Sequence, residues 1–170
     1  YEQNLMVDFI NKKKKKFDNL IKKIELKNQL LKEQLLLKIE SLLRNKNIKK
    51  IRLEHIVDLI KRPVNRVNTK TYNKIGMYNW GKGVFKYPSE YGSELGDSKF
   101  NNLKEGDLLL SGQFAWEGSV SLVEKNFCDC ISSHRFHILK GYENTILNEY
   151  LWSYLISQEG HWLLNSNSFG

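Results

Sequence analysis

The chain has 170 residues, 41% hydrophobic and 12% aromatic, which is enough apolar material to bury a core in one domain with or without an appendage. Two cysteines exclude a disulfide-stapled scaffold, and a net charge of +8 on so aromatic a chain excludes a disordered basic tail. No run approaches the roughly 18 apolar residues of a membrane-spanning helix. The opening Tyr1-Glu2-Gln3 lacks the basic lead and apolar stretch of a signal peptide, so the expectation is a cytoplasmic protein with reduced thiols.

The charge is unevenly placed. Residues 1–48 carry twelve Lys/Arg against six Asp/Glu; residues 49–86 carry ten basic residues against Glu54 and Asp58; residues 87–170 carry five basic and eleven acidic residues. Such polarity favours an anionic partner, and nucleic acid is the commonest one. Lysines that only solubilise are the plainer alternative.

Residues 1–47 read as one long helix. Glu2 to Asn47 contains neither Pro nor Gly and is rich in Leu, Lys, Glu and Gln, all good helix formers. Alternating steps of three and four give Ile10, Lys14, Phe17, Ile21, Ile24, Asn28, Leu31, Leu35, Lys38 and Leu42. This is a heptad seam, in which Asn28 fixes register at some cost in stability. Leu20, Leu30, Ile39 and Leu43 widen the stripe. At 1.5 Å per residue the helix spans roughly 60–65 Å, longer than a 120-residue globule needs for its own core. It therefore wants a partner helix, and self-pairing is one source. The run Lys12–Lys16 points all around the axis and reads as solvated surface.

Residues 48–170 read as an α+β globule with a mainly antiparallel, barrel-like sheet. Ile51 and Leu53 suggest a short strand, and Glu54–Ile60 a helical turn ended by Lys61-Arg62-Pro63. Short apolar pieces between Gly, Asn, Ser and Pro then mark strands at Val64–Val67, Lys74–Tyr78, Lys82–Phe85, Asp107–Gln113, Ser119–Glu124 and His134–Leu139. Asn144 would cap a helix running to Ser157, with Gly160 as its stop.

Little of this carries catalytic chemistry. Cys128-Asp129-Cys130 with His134 and His137 lacks the two-to-four-residue cysteine spacing of structural zinc sites, so no metal is expected. Glu90, Glu94, Asp97 and Lys99 could hold a divalent metal for nuclease chemistry but read as loop texture. No nucleophile elbow or phosphate loop is present. No catalytic constellation can be assigned from the residues alone.

The basic stretch is more informative. Arg62, Asn65, Arg66, Lys70, Lys74, Lys82 and Lys86 are interleaved with Tyr72, Tyr78, Trp80, Phe85 and Tyr87. Lys and Arg neutralise phosphates and read guanine; Asn reads adenine. Tyr78, Phe85 and Tyr87 are expected in the core. Gln113 and Arg135, on polar stretches further on, complete the candidate DNA-binding set.

In order and in local pattern the chain resembles half of a Type I restriction–modification specificity subunit. Phe9-Ile10-Asn11-Lys12-Lys13, Phe17-Asp18-Asn19-Leu20-Ile21 and Leu30-Leu31-Lys32-Glu33 are similar to that family's spacer helix. Asn65-Arg66-Val67, Tyr72–Gly76, Lys82-Gly83-Val84-Phe85, Lys104–Ser111, Ala115–Ser119 and Ile131–Phe136 resemble its target recognition domains. The resemblance covers nearly the whole chain and implies a non-catalytic, sequence-specific reader of double-stranded DNA. The helix would set spacing and dock methyltransferase subunits that bind S-adenosylmethionine; separate restriction subunits would use ATP. The family has two helices and two globules where this chain has one of each, which implies a half-subunit that self-dimerises or a piece of a longer one. A coiled-coil adaptor with a protein-binding globule is the alternative.

Overall fold

Hydrophobic periodicity separates the chain into a helix and a sheet-rich region, and the computed structural model follows that division. It describes residues 2–43 and 51–168, with side chains described from Met6 to Leu42 in the first stretch. Two units result, Tyr1–Arg44 and Asn45–Gly170. The boundary expected at residues 47 and 48 lies outside the described residues.

The first unit is α1 (Glu2–Leu43). Side-chain pairs one turn apart support it, such as Gln29 Nε2 donating to Glu33 Oε1 at 3.1 Å. The ammonium of Lys13 lies 5.3 Å from the centre of the Phe9 ring. The seam residues Ile10, Phe17, Ile21, Ile24, Leu31, Leu35 and Leu42 are all exposed, each more than half. Asn28 is exposed beside them, and Ile39 is half-buried.

The second unit is built on the apolar run Leu108-Leu109-Leu110. β1 (Val57–Ile60), β7 (Leu108–Ser111), β8 (Val120–Leu122) and β10 (Phe136–Gly141) form a four-stranded antiparallel sheet in the order β1-β10-β7-β8. Successive leucines of β7 enter different cores: Leu109 joins Ile75, Leu103, Val123, Cys130 and Ile138, whereas Leu108 joins Val120, Leu139, Leu151 and Leu155. A strand buried on both faces needs such a run of leucines rather than alternation.

Helices cover the second of these faces. α2 (Asn148–Leu155) and α3 (Gln158–Ser166) bring Leu151, Leu155 and Leu164. Asn148 ties the start of α2 to the sheet: its Oδ1 accepts from Gly141 N at 2.8 Å and its Nδ2 donates to Gly106 O at 2.7 Å. Short ladders form the rest: β2 (Thr71–Tyr72) with β5 (Glu90–Tyr91), β3 (Ile75–Met77) with β4 (Val84–Lys86), and β6 (Phe100–Asn102) with β9 (Ile131–Ser133).

The α+β class is as expected; the barrel is not. Isolated bridges, Pro63 to Asn101 and Lys74 to Ile131, are the backbone ladder links between the small pieces, and among the described residues no continuous ladder closes them. Strands of two or three residues cannot sustain the stagger that closure requires.

Local readings also change. Residues 57–60 are strand β1, entered through a 3-10 turn at Leu53–His55; Ile51 and Leu53 form no strand. Val64–Val67 is an irregular segment anchored by Val64 N to Phe100 O at 3.0 Å. Asn144 has φ of +62° and lies in a turn, so the helix starts four residues later. Gly160 does not end a helix. Ser157 caps a further one, its Oγ accepting from Gly160 N at 3.2 Å, and Gly160 sits in the first turn because a Cβ there would lie 2.0 Å from Tyr154 O.

Candidate nucleic-acid interface

The basic residues singled out by sequence separate into structural and accessible groups. Arg62 is structural. Its guanidinium pairs with the Asp107 carboxylate and donates from Nε to Asn102 O at 3.2 Å, with the two side chains 21% and 10% exposed. Asp107 Oδ2 also accepts from Lys104 N at 2.8 Å. This cluster joins the exit of β1 to the entry of β7 and leaves Arg62 little to offer a ligand.

Lys74 and Lys86 lie on the small ladders and are neutralised there. Lys74 Nζ is 2.8 Å from Glu90 Oε2, and Lys86 Nζ is 3.0 Å from Asp129 Oδ1. The Lys86 bond holds the Asp129 carboxyl below its usual range, and the same bond raises Lys86. Arg66 is exposed and donates to Gly96 O. Lys70 is exposed, its ammonium 5.4 Å from the Tyr72 ring centre. Asn65 is exposed on the same irregular segment.

Gln113 and Arg135 come together at one end of the four-stranded sheet. The registers Phe136 to Ser111 and Val120 to Leu110 put the end of β7 and the starts of β8 and β10 at that end. Gly112 N donates to Arg135 O at 2.8 Å, and Arg135 Nη1 donates to Gln113 Oε1 at 3.3 Å. Ser111 Oγ, buried, accepts from Gln113 N at 3.3 Å and Phe114 N at 3.1 Å, which fixes the turn. Trp116 Nε1 closes it on Gln113 O at 3.1 Å.

The β3–β4 loop, residues 78–83, docks on the residues that follow this turn. Trp80 N donates to Glu117 O at 3.1 Å and Gly81 N to Gly118 O at 2.9 Å. The Asn79 amide donates to the Glu117 carboxylate, and its Oδ1 accepts from Ser119 Oγ at 2.6 Å. Lys82, exposed on this loop, has no ion-pair partner among the described residues. The loop end thus carries two cationic side chains and an amide beside three exposed rings: Trp80 at 65%, Phe114 at 48% and Trp116 at 41%.

The aromatics divide differently from expectation. Tyr72 is core, whereas Tyr78 and Tyr87 are each about half exposed and pack through Phe85, with ring centres 4.6 and 5.0 Å apart. The missing Cβ of Gly76 makes room for the Phe85 ring. Trp80, Phe114 and Trp116 are the surface residues that the candidate set left out. The signal for Trp80 was the Trp-Gly-Lys-Gly sequence at 80–83, and for Phe114 and Trp116 their place between Gly112 and Gly118, since closely spaced glycines mark loops.

Among the described residues no three His, Cys, Asp or Glu side chains converge on a metal-sized space. Cys130 is buried, which pushes its thiol up, and Cys128 is exposed. Glu90 is spent on Lys74, and Glu94 Oε2 accepts from Tyr91 N at 2.8 Å. A depression lined by Asn144, Thr145, Ile146, Leu147 and Tyr150 holds no carboxylate or imidazole. No helix among the described residues is long and apolar enough to cross a membrane.

No family model matches the chain, and no curated protein matches it.

Proposed function

We propose that the chain is a sequence-specific reader of double-stranded DNA, the specificity component of a Type I restriction–modification complex, with the globule as target recognition domain and α1 as spacer. The observation that carries this is the loop end of the sheet. There Arg135 and Gln113, two side chains that can address base edges, are hydrogen-bonded to each other, and the loop bonded to the following turn at Glu117 and Gly118 carries Lys82. Arginine reads guanine through its fork and glutamine reads adenine; a cation free of internal partners neutralises phosphate.

In this reading the exposed seam of α1 docks methyltransferase subunits or a second copy of the chain. S-adenosylmethionine and ATP belong to the methyltransferase and restriction subunits, and the chain itself does no chemistry. The setting is cytoplasmic. The exposed seam equally favours a coiled-coil adaptor, which binds DNA no better than any basic protein of the same charge.

Duplex titrations over a salt series separate the two. Lys82→Ala reduces the slope of log affinity against log salt by about one, the share of one phosphate contact. Arg135→Ala costs about 1–3 kcal/mol on the preferred sequence and less on others. Wild-type affinity unaffected by both substitutions would refute the assignment of this surface.

A further inference from the structure

The loop that carries Lys82 also holds its tryptophan in an unusual way. Trp80 has φ of +62°, in the left-handed region where a bulky residue is a true outlier. Two glycines follow within the same loop, Gly81 at +62° and Gly83 at +99°, and a Cβ on Gly81 would strike the Ile156 side chain at 2.5 Å. The loop is therefore shaped to one geometry by its glycines and locked by the hydrogen bonds to Glu117, Gly118 and Ser119.

The result is an indole that is 65% exposed on a backbone held by those bonds. Its inner face stacks on the His161 imidazole of α3, with ring centres 4.5 Å apart and planes 17° from parallel. His161 Nε2 is buried there without a hydrogen-bond partner among the described residues. The arrangement costs the fold twice, through a left-handed tryptophan and through an unsatisfied imidazole nitrogen. No other ring packs against Trp80 among the described residues. Strain held in place by surrounding structure at an exposed aromatic is the pattern of a ligand clamp.

We propose that the outer face of Trp80 is a stacking platform for a single unpaired nucleobase of a nucleic acid whose backbone runs past Lys82. The indole offers a flat apolar face, and the unpaired cation two residues away offers a phosphate partner, which together make up one nucleotide's recognition. A base inside an intact stack has no free face, so the ligand is a base outside it, at a bulge or a splayed position. The proposal rests on the reading of the globule as a nucleic-acid-binding module and adds a contact that paired DNA does not make.

The test uses the full chain and three probes: a duplex with 2-aminopurine as a single-base bulge, the same duplex with 2-aminopurine paired to thymine, and the 2-aminopurine mononucleotide. Wild type is expected to bind the bulged duplex about 5- to 150-fold more tightly than the paired one, as one stacked base provides, and to quench its emission. Trp80→Gly, whose backbone takes a positive φ without strain, loses both preference and quenching, and Trp80→Tyr retains most of each. A bulge preference that survives Trp80→Gly, with paired duplex still bound, overturns the platform and leaves the DNA-reading proposal standing. Preference and quenching lost in Trp80→Gly, with paired duplex still bound, sustain the platform. The mononucleotide binding as tightly as the bulged duplex overturns the nucleic-acid part, and no binding of either duplex overturns both.

Discussion

Replacing Arg62 by alanine tests whether this arginine is structural or a DNA contact. The substitution removes the guanidinium that pairs with Asp107 and bonds to Asn102 O, leaving the carboxylate, 10% exposed, with the Lys104 amide as its remaining donor. Breaking a buried pair from one side strands a desolvated charge and costs about 3–5 kcal/mol. The 21% exposure of Arg62 admits some water, which places the loss near the lower end, about 3 kcal/mol. With a urea dependence of ~1–3 kcal/mol per M, the unfolding midpoint falls by about 1–3 M. The assay is urea unfolding followed by tryptophan fluorescence, with duplex affinity measured below the transition. Asp107→Asn keeps a hydrogen-bond acceptor and loses less. An Arg62→Ala protein with unchanged midpoint and weakened DNA binding would refute the structural role and return Arg62 to the interface.

Three further outcomes follow from the same geometry. Cys128 is exposed, whereas Cys130 is buried with its thiol pushed up by that burial, so a thiol reagent modifies Cys128 rapidly and Cys130 only on unfolding; two fast thiols would contradict the core placement. Gly160→Ala puts a methyl against Tyr154 O, and overpacking of this kind destabilises by about 1–3 kcal/mol, read as a lower thermal midpoint; an unchanged midpoint would contradict the tight α2–α3 turn. The Asp129 carboxyl titrates below its ordinary range because Lys86 bonds to it. Its folded value being depressed, whatever stability the pair contributes is present above the ordinary carboxylate range and lost as pH falls through the folded value. A carboxyl chemical-shift titration in which Lys86→Met moves Asp129 upward checks this; no movement refutes the pairing.

The parts legible in sequence were those fixed by local pattern. The helical state of α1 (Glu2–Leu43) followed from a composition rich in helix formers with neither Pro nor Gly. Leu108-Leu109-Leu110 after Glu105-Gly106-Asp107 marked β7 because a turn and an apolar run are both local signals. Long-range partners were not legible. The pairing of Arg62 with Asp107 spans 45 residues, and the lysines at 74 and 86 look free until Glu90 and Asp129 fold against them. Val57–Ile60 borders a 3-10 turn, and its pairing with β10, some 80 positions on in sequence, decides its strand state over local preference. Ser157 and Gly160 read as the end of one helix because a cap and a stop use the same small residues. In the candidate set, Gln113, Lys82 and Arg135 were chosen for their chemistry, but the meeting of Gln113 with Arg135 needed the sheet registers, and Trp80 needed its backbone angle.

The central claim, that the globule reads DNA sequence, is tested most directly by selecting bound duplexes from a randomised pool at near-physiological salt and sequencing them. The account predicts enrichment of one short half-site, or of two inverted copies at fixed spacing if α1 pairs with a second copy, with enrichment reduced by Arg135→Ala. A pool recovered without sequence enrichment, under conditions where the chain binds duplex, would contradict it and leave the adaptor reading in its place.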